Sequence, residues 1–186
     1  MGIGILVLKS LYLILPAYIA NMAPVLFKGV LKPLARPIAP NIKLRRKPLF
    51  GSHKTYMGLI IAALAGILVF MLQVWLFNYS LFQQISLVNY DLFFQRYNIL
   101  PGFLLGFGAI LGDLVKSVIK RQLGIKPGGR FMPWDQLDFL IGALIFISII
   151  YVPSWQIVLA LFALTPILHI AINHLGYYLN IKEVKW

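Results

Sequence analysis

Residues 56–77 read YMGLIIAALAGILVFMLQVWLF, 22 positions without a charge and with Gln73 as the one strongly polar side chain. A helix needs about 20 apolar residues to cross the hydrocarbon core of a bilayer, so this stretch predicts a transmembrane helix. Outward from it the pattern repeats. Residues 3–27 form an apolar run with Pro16 and Pro24 inside it. Residues 99–115 form a shorter one with Gly102, Gly106, Gly108 and Gly112, small side chains that let helix backbones approach closely. Residues 136–152 follow, and then residues 155–179, interrupted by Thr165-Pro166. The expectation is an all-α integral membrane protein, one membrane domain over residues 1–186 with about five transmembrane helices. Polar connections are expected at residues 28–55 and 116–135.

Composition agrees. Hydrophobic residues make up 60% of the chain and charged residues 12%, against about 45–50% and 25% in soluble domains. No polar stretch is long enough to bury a core of its own. The first apolar run lacks a basic leader and a small-residue cleavage site, so it reads as a retained helix rather than a signal peptide. The absence of cysteine excludes disulfides and thiolate catalysis. A net charge of +12 would suggest nucleic acid in a soluble protein. Here the loops of a membrane protein account for it, and no nucleic-acid partner is expected.

Those charges predict an orientation. In a five-helix arrangement 15 of the 17 basic residues fall on one side, in the two long connections and at the C-terminal end, and only Lys9 and Arg96 do not. Lys and Arg accumulate in cytoplasmic loops, so the N-terminus is expected outside, and the C-terminus and both basic loops in the cytoplasm. The outer segment 78–98 alternates aromatic and polar residues and predicts a short helix lying in the interface, with a re-entrant hairpin as the alternative. No internal repeat of a transporter kind is visible.

The acids are few, and three of the five, Asp113, Asp135 and Asp138, lie between positions 113 and 138. Asp113, Lys116, Ser117, Lys120 and Arg121 share one helix face at three- and four-residue spacing, a polar stripe leaving the membrane. A salt-bridged helix end explains such a stripe without function, yet an ionisable group at membrane depth is a functional candidate. Asp135 and Asp138 open the fourth helix on one face, where N-capping is the bland explanation. Together with Asp113 they suit a hard cation such as Mg²⁺, which takes oxygen ligands and shares them with phosphates. The intervening loop GIKPGGRFMP at residues 124–133 pairs Gly128-Gly129 with Lys126 and Arg130, a weak anion-binding signal. In the first connection, Ser52 or Thr55 is expected to cap the second helix, leaving Lys54 to meet phosphate at its N-terminus. His53 is not expected to be a ligand. Asn21 on the first helix, and Thr165, His169, Asn173 and Tyr177 on one face of the fifth, read equally as helix–helix glue or as function.

Ser117-x-x-Lys120-Arg121, a glycine-rich loop with Lys126, and Asp135-x-x-Asp138 together resemble the signature of membrane phosphatidate cytidylyltransferases. Pro127 after Lys126, the missing histidine before the two glycines and Gln136 in place of arginine depart from that signature toward its archaeal branch, the CDP-archaeol synthases. Asn21-Met-Ala-Pro24, His53-Lys54-Thr55 with Gly58, Gly112-Asp113, Pro133-Trp134-Asp135-Gln136-Leu137-Asp138, Asn173 and Lys182-x-x-Lys-Trp186 are similar to recurring positions of that family, although Lys185 stands where proline is expected. The resemblance implies transfer of CMP from CTP to 2,3-bis-O-(geranylgeranyl)-sn-glycerol 1-phosphate, an isoprenoid ether lipid phosphate, releasing pyrophosphate and requiring Mg²⁺. It implies that Asp113, Asp135 and Asp138 hold the cation, with Ser117 assisting. Lys120, Arg121 and Lys126 would meet the triphosphate or lipid phosphate, Lys54 and Thr55 would bind phosphate, and Asn21 and Asn173 would touch the nucleotide. A bacterial-type phosphatidate enzyme and a non-enzymatic transporter are the alternatives. A CDP-alcohol phosphatidyltransferase also starts a helix with D-x-x-D, but its motif continues after the second Asp to an Ala-Arg and two more acids, and here Phe139 follows Asp138 and no such continuation is present.

Overall fold

In a computed structural model, residues 2–27, 29, 36–44, 46–51, 54–126 and 129–180 are described. Ser52, His53, Pro127, Gly128 and the closing Lys182-x-x-Lys-Trp186, on which sequence expectations fell, lie outside them. The elements in chain order are α1 (Ile3–Leu26), β1 (Lys43–Leu44), β2 (Lys47–Pro48), α2 (Tyr56–Leu76), α3 (Ser80–Gln84), α4 (Tyr90–Tyr97), α5 (Leu100–Gln122), α6 (Trp134–Ile147) and α7 (Trp155–Tyr178). The chain is an all-α membrane protein apart from the two-residue strands, which pair antiparallel with Lys43 opposite Pro48 and Leu44 opposite Lys47.

Among the described residues, α1, α2, α5 and α7 are long and apolar enough to cross a bilayer. The fourth expected crossing differs in length. α6 has 14 residues, about 21 Å at 1.5 Å per residue, against a hydrocarbon core of about 30 Å. Its end has a local cause. Ser148 Oγ donates back to the Leu144 carbonyl at 2.6 Å, and Ile149 and Ile150 N–H turn to Phe146 and Ile147 carbonyls at 3.2 and 3.0 Å. Tightened bonds of this kind close a last turn, and Pro153 then disfavours helical backbone at Val152. The third expected segment is longer than the sequence suggested. α5 runs on to Gln122, past the expected end at residue 115, and the polar stripe from Asp113 to Arg121 lies on it as its helical spacing predicted. The segment 78–98, expected as one short helix, forms two, α3 and α4, with Tyr90 buried at 2% exposure against Tyr12, Phe70 and Phe77.

α5 is the central helix, packed against α6 on one flank and α2 on the other, with α1 also touching it. The glycines make this possible. A Cβ built on Gly66 of α2 would lie 2.5 Å from the Gly102 carbonyl oxygen, and one on Gly108 would lie 2.7 Å from the Gly142 carbonyl oxygen of α6. Both helix pairs therefore meet backbone to backbone, as small residues allow in lipid. The core at the α1–α5–α6–α7 junction holds Ile14, Ala17, Ala109, Phe139, Leu140, Ala143 and Leu161. The outer faces are apolar and exposed, with Leu68 at 68% on α2 and Ile167 at 65% on α7, which is the surface lipid tails cover.

Candidate active site

The end of the bundle where α2 begins, α5 ends and α6 begins gathers the charges. Thr55 is the N-cap of α2, its Oγ1 accepting from Gly58 N–H at 3.1 Å. The preceding loop is tied to this start by Ile38 N–H to the Lys54 carbonyl at 2.8 Å and Tyr56 N–H to the Arg36 carbonyl at 3.1 Å. That anchoring aims Lys54 at α5, where it forms an ion pair and hydrogen bond with Asp113. Lys54 is thus not free for phosphate in this state, contrary to the sequence expectation, because Asp113 projects from α5 toward the α2 N-terminus.

Lys116 is the hub. Its Nζ lies 3.1 Å from Asp113 Oδ1, 3.4 Å from Asp135 Oδ1 and 2.6 Å from Asp138 Oδ2. The last contact is electrostatic rather than a well-aligned hydrogen bond, since Asp138 Oδ2 has no hydrogen-bond partner among the described residues. Lys120 Nζ donates to both Asp135 oxygens at 2.8 and 3.1 Å and to the Gly129 carbonyl at 2.6 Å, clamping the glycine loop onto α5. Three carboxylates and three ammonium groups therefore form one mutually neutralising cluster, and the Asp138 side chain keeps only 6% of its surface. Capping does not explain these acids. The N-cap position of α6 is Pro133, and Asp135 Oδ2 accepts from Phe131 N–H at 2.6 Å, in the loop rather than the helix. Asp138 lies a turn further in. Buried charges persist only when paired, and each of these is paired: Asp135 and Asp138 across α5 and α6, and Asp113 with Lys116 on its own helix and Lys54 in the loop before α2.

Ser117 is buried beside the cluster, its hydroxyl accepting from Gly51 N–H at 3.4 Å. Arg121 and Lys126 point elsewhere: with Lys47, Phe50, Gly51 and Gly124 they line a cavity of about 610 Å³ under the loop of residues 37–51. Arg121 Nε is buried without a hydrogen-bond partner among the described residues, and Lys47 Nζ donates to the Gln122 carbonyl at the end of α5 at 2.7 Å. Asn21 and Asn173 are not brought to the acids. They line a second cavity of about 140 Å³ between α1 and α7, with Tyr18, Met22 and His169. There Asn173 Nδ2 meets His169 Nδ1 at 3.2 Å, and Tyr18 and Thr165 hydroxyls meet at 2.7 Å.

The sequence and the fold that carry this cluster are matched by known proteins. Residues 3–186 fit the family model of CarS-like CDP-archaeol synthases. The chain belongs to the CDP-archaeol synthase family. It is similar to the CDP-archaeol synthase of Archaeoglobus fulgidus, 36% identical with 97% of this chain and 98% of that protein covered. It is similar also to that of Methanopyrus kandleri, 37% identical with 96% and 92% covered. A solved structure of an intramembrane enzyme for archaeal membrane lipid biosynthesis superposes with a TM-score of 0.69 at 30% identity, covering 90% of this chain and 94% of that one. As a CDP-archaeol synthase family member the chain is an enzyme, a CTP-dependent cytidylyltransferase of lipid synthesis. The resemblance carried by Asp135-x-x-Asp138 and its surroundings is therefore confirmed at the level of family. Lys116 is the residue that sequence reasoning left without a role. Its spacing of three from Asp113 was visible, but its simultaneous reach to α6 depends on the close α5–α6 contact.

No three acidic or histidine side chains among the described residues form a ready-made metal cage. The donor chemistry nevertheless fits a hard cation. Asp113, Asp135 and Asp138 offer only oxygens, all directed at one point, and a positive group, the Lys116 ammonium, already sits there.

Proposed function

We propose that this protein transfers CMP from CTP to 2,3-bis-O-(geranylgeranyl)-sn-glycerol 1-phosphate, releasing pyrophosphate and unsaturated CDP-archaeol, on the cytoplasmic side of the membrane. The observation that carries the site is the convergence of Asp113 from α5 with Asp135 and Asp138 from α6 on a single point bordered by Lys54, Lys116 and Lys120. The split of basic residues supports the cytoplasmic side: both connections that build the site belong to the Lys/Arg-rich set.

The reaction joins two anions. A phosphate oxygen of the lipid attacks the α-phosphorus of CTP, the bond from that phosphorus to the bridging oxygen breaks, and pyrophosphate leaves with the electron pair. The nucleophile is already ionised, so no strong general base is required. Catalysis then depends on in-line positioning and on charge neutralisation. Lys54, Lys116 and Lys120 exchange their carboxylate partners for phosphate oxygens. Arg121, whose buried Nε has no hydrogen-bond partner among the described residues, and Lys126 present cationic donors to the 610 Å³ cavity, where they meet the triphosphate or lipid phosphate. Asp113, Asp135 and Asp138 would hold Mg²⁺, which would neutralise charge on the transferred and leaving phosphates, with Ser117 assisting through its hydroxyl. Thr55 holds the α2 N-terminus in place beside the phosphates. Asn21 and Asn173 lie in the smaller cavity, and their amides are assigned to the nucleotide. The lipid enters sideways from the bilayer, because its tails cannot leave it.

The test is turnover of detergent-solubilised protein with Mg²⁺, a lipid phosphate, and CTP or ATP. CTP is expected to be used and ATP to be poor. Equal use of the two would refute cytidylyl transfer and leave only a membrane phosphate-binding site.

A further inference from the structure

Lys116 is not part of the motif that marks the family resemblance, yet among the described residues no other side chain contacts all three acids. Its Nζ fills the point on which Asp113, Asp135 and Asp138 converge, at 3.1, 3.4 and 2.6 Å, and its side chain keeps only 16% of its surface. A divalent ion bound by these carboxylates would stand about 2.0–2.1 Å from their oxygens. The same point cannot hold both, by size and by repulsion between like charges. The ledger of charge leads the same way. Three carboxylates face three ammonium groups, Lys54, Lys116 and Lys120, so the centre is neutral as it stands, and a bare divalent ion would make it doubly positive in a partly dehydrated place.

We propose that Lys116 is an internal counter-cation that holds the metal centre closed until nucleotide arrives. This deepens the cytidylyltransferase reading and rests on it. In the resting protein the Lys116 ammonium stands in for the metal and keeps three acids, from two helices, from repelling one another. When the triphosphate enters with its own negative charge, Lys116 moves on its flexible four-carbon stem from carboxylate to phosphate, and the carboxylates become available to the divalent ion. Metal and nucleotide therefore bind together, and Lys116 changes partner in the same event. Lys116 is on this account both a positioning residue for the acids and a phosphate contact.

The test reads metal binding directly, without turnover. Free Mn²⁺ is titrated against detergent-solubilised protein by electron paramagnetic resonance, with no nucleotide present, for the parent, Lys116→Met and Lys116→Arg. Removing the competing charge is expected to tighten Mn²⁺ binding on the order of tenfold or more in Lys116→Met, while Lys116→Arg stays at the parent value. Unchanged or weaker binding in Lys116→Met overturns the proposal, as does equal tightening in both variants, which would show that the positive charge is not what opposes the metal. Absence of Mn²⁺ binding in every variant, with CTP also supplied, overturns the metal assignment itself and this proposal with it. Because Lys116→Met leaves the acids unbalanced and its fold is at risk, a second measurement uses the unaltered protein. Amine acylation at Lys116, read by mass spectrometry against the exposed Lys43, is expected to stay low without added metal and to rise only when Mn²⁺ alone is raised far enough, to millimolar levels, to force Lys116 off the acids in the absence of nucleotide. No change in Lys116 labelling at a saturating Mn²⁺ level overturns the proposal independently of any variant.

Discussion

Gly112→Ala tests how tightly the site depends on helix packing. Gly112 lies on α5 one residue before Asp113, and a Cβ there would overlap the carbonyl of Asp138 and sit 3.2 Å from Gly142 Cα on α6. Both obstacles are backbone, so no rotamer change relieves them and the helices must part. Restoring ordinary contact, 3.4–4 Å, to the overlapped carbonyl requires a displacement of about 1 Å or more. The parting acts directly on the 2.6 Å contact between Lys116 on α5 and Asp138 on α6. Overpacking of this kind costs about 1–3 kcal/mol of stability, and misplacing catalytic groups by about 1 Å costs about 100-fold in rate. The assay is initial-rate transfer of radiolabelled CTP to lipid at saturating substrate, with thermal unfolding measured in parallel. Gly4→Ala is the control, since nothing lies within 4 Å of a Cβ there. The expected result is a folded Gly112→Ala protein with kcat lowered about 100-fold and an unaffected Gly4→Ala protein. A Gly112→Ala variant that turns over at close to the parent rate would refute the link between the α5–α6 contact and the acid cluster.

Other outcomes follow from the same geometry. Asp113→Asn, Asp135→Asn and Asp138→Asn are each expected to remove most transfer while the protein stays folded in membranes; if the acids only capped helices, about 0.5–2 kcal/mol of stability would be lost with activity kept, and kinetics beside unfolding curves separate the two. For topology, single cysteines introduced at positions 126 and 88 of this cysteine-free chain should react with an impermeant thiol reagent from opposite faces of the membrane, and labelling from the same face would contradict the proposed orientation. For the lipid, geranylgeranyl and phytanyl ether phosphates should both react in competition assays and a diacyl phosphatidate more slowly. Apolar contact discriminates weakly, about 1–3 kcal/mol per methylene even in a fitted pocket, so strict rejection of the saturated ether would reveal a shaped tail pocket.

Much of this architecture was legible because lipid imposes a simple rule on sequence. Long uncharged runs such as residues 56–77 have one stable outcome, and glycines spaced along α5 announced a close contact before its partners were known. The boundaries that shifted did so for local reasons. α5 continues through Lys116–Arg121 because the stripe keeps helical spacing after hydrophobicity fades, and α6 stops early where Ser148 bonds back to Leu144 and Pro153 follows. In the site, acid spacing showed that Asp135 and Asp138 share a face, but not what they face. The pairing of Lys54 with Asp113, and the central place of Lys116, arise from contacts between elements far apart in the chain. Asn21 and Asn173 likewise share a cavity that no one-helix pattern reveals, and it is separate from the acids.

The central claim is that this bundle moves a cytidylyl group and not a phosphoryl group. CTP labelled at the α-phosphorus and, separately, at the γ-phosphorus is supplied with Mg²⁺ and the geranylgeranyl ether lipid phosphate, and label is followed into the organic phase and into pyrophosphate. The account predicts α-label in the lipid product, γ-label only in released pyrophosphate, and loss of both signals in Asp138→Asn. Recovery of γ-label in the lipid, or undiminished α-label transfer by Asp138→Asn, would contradict it.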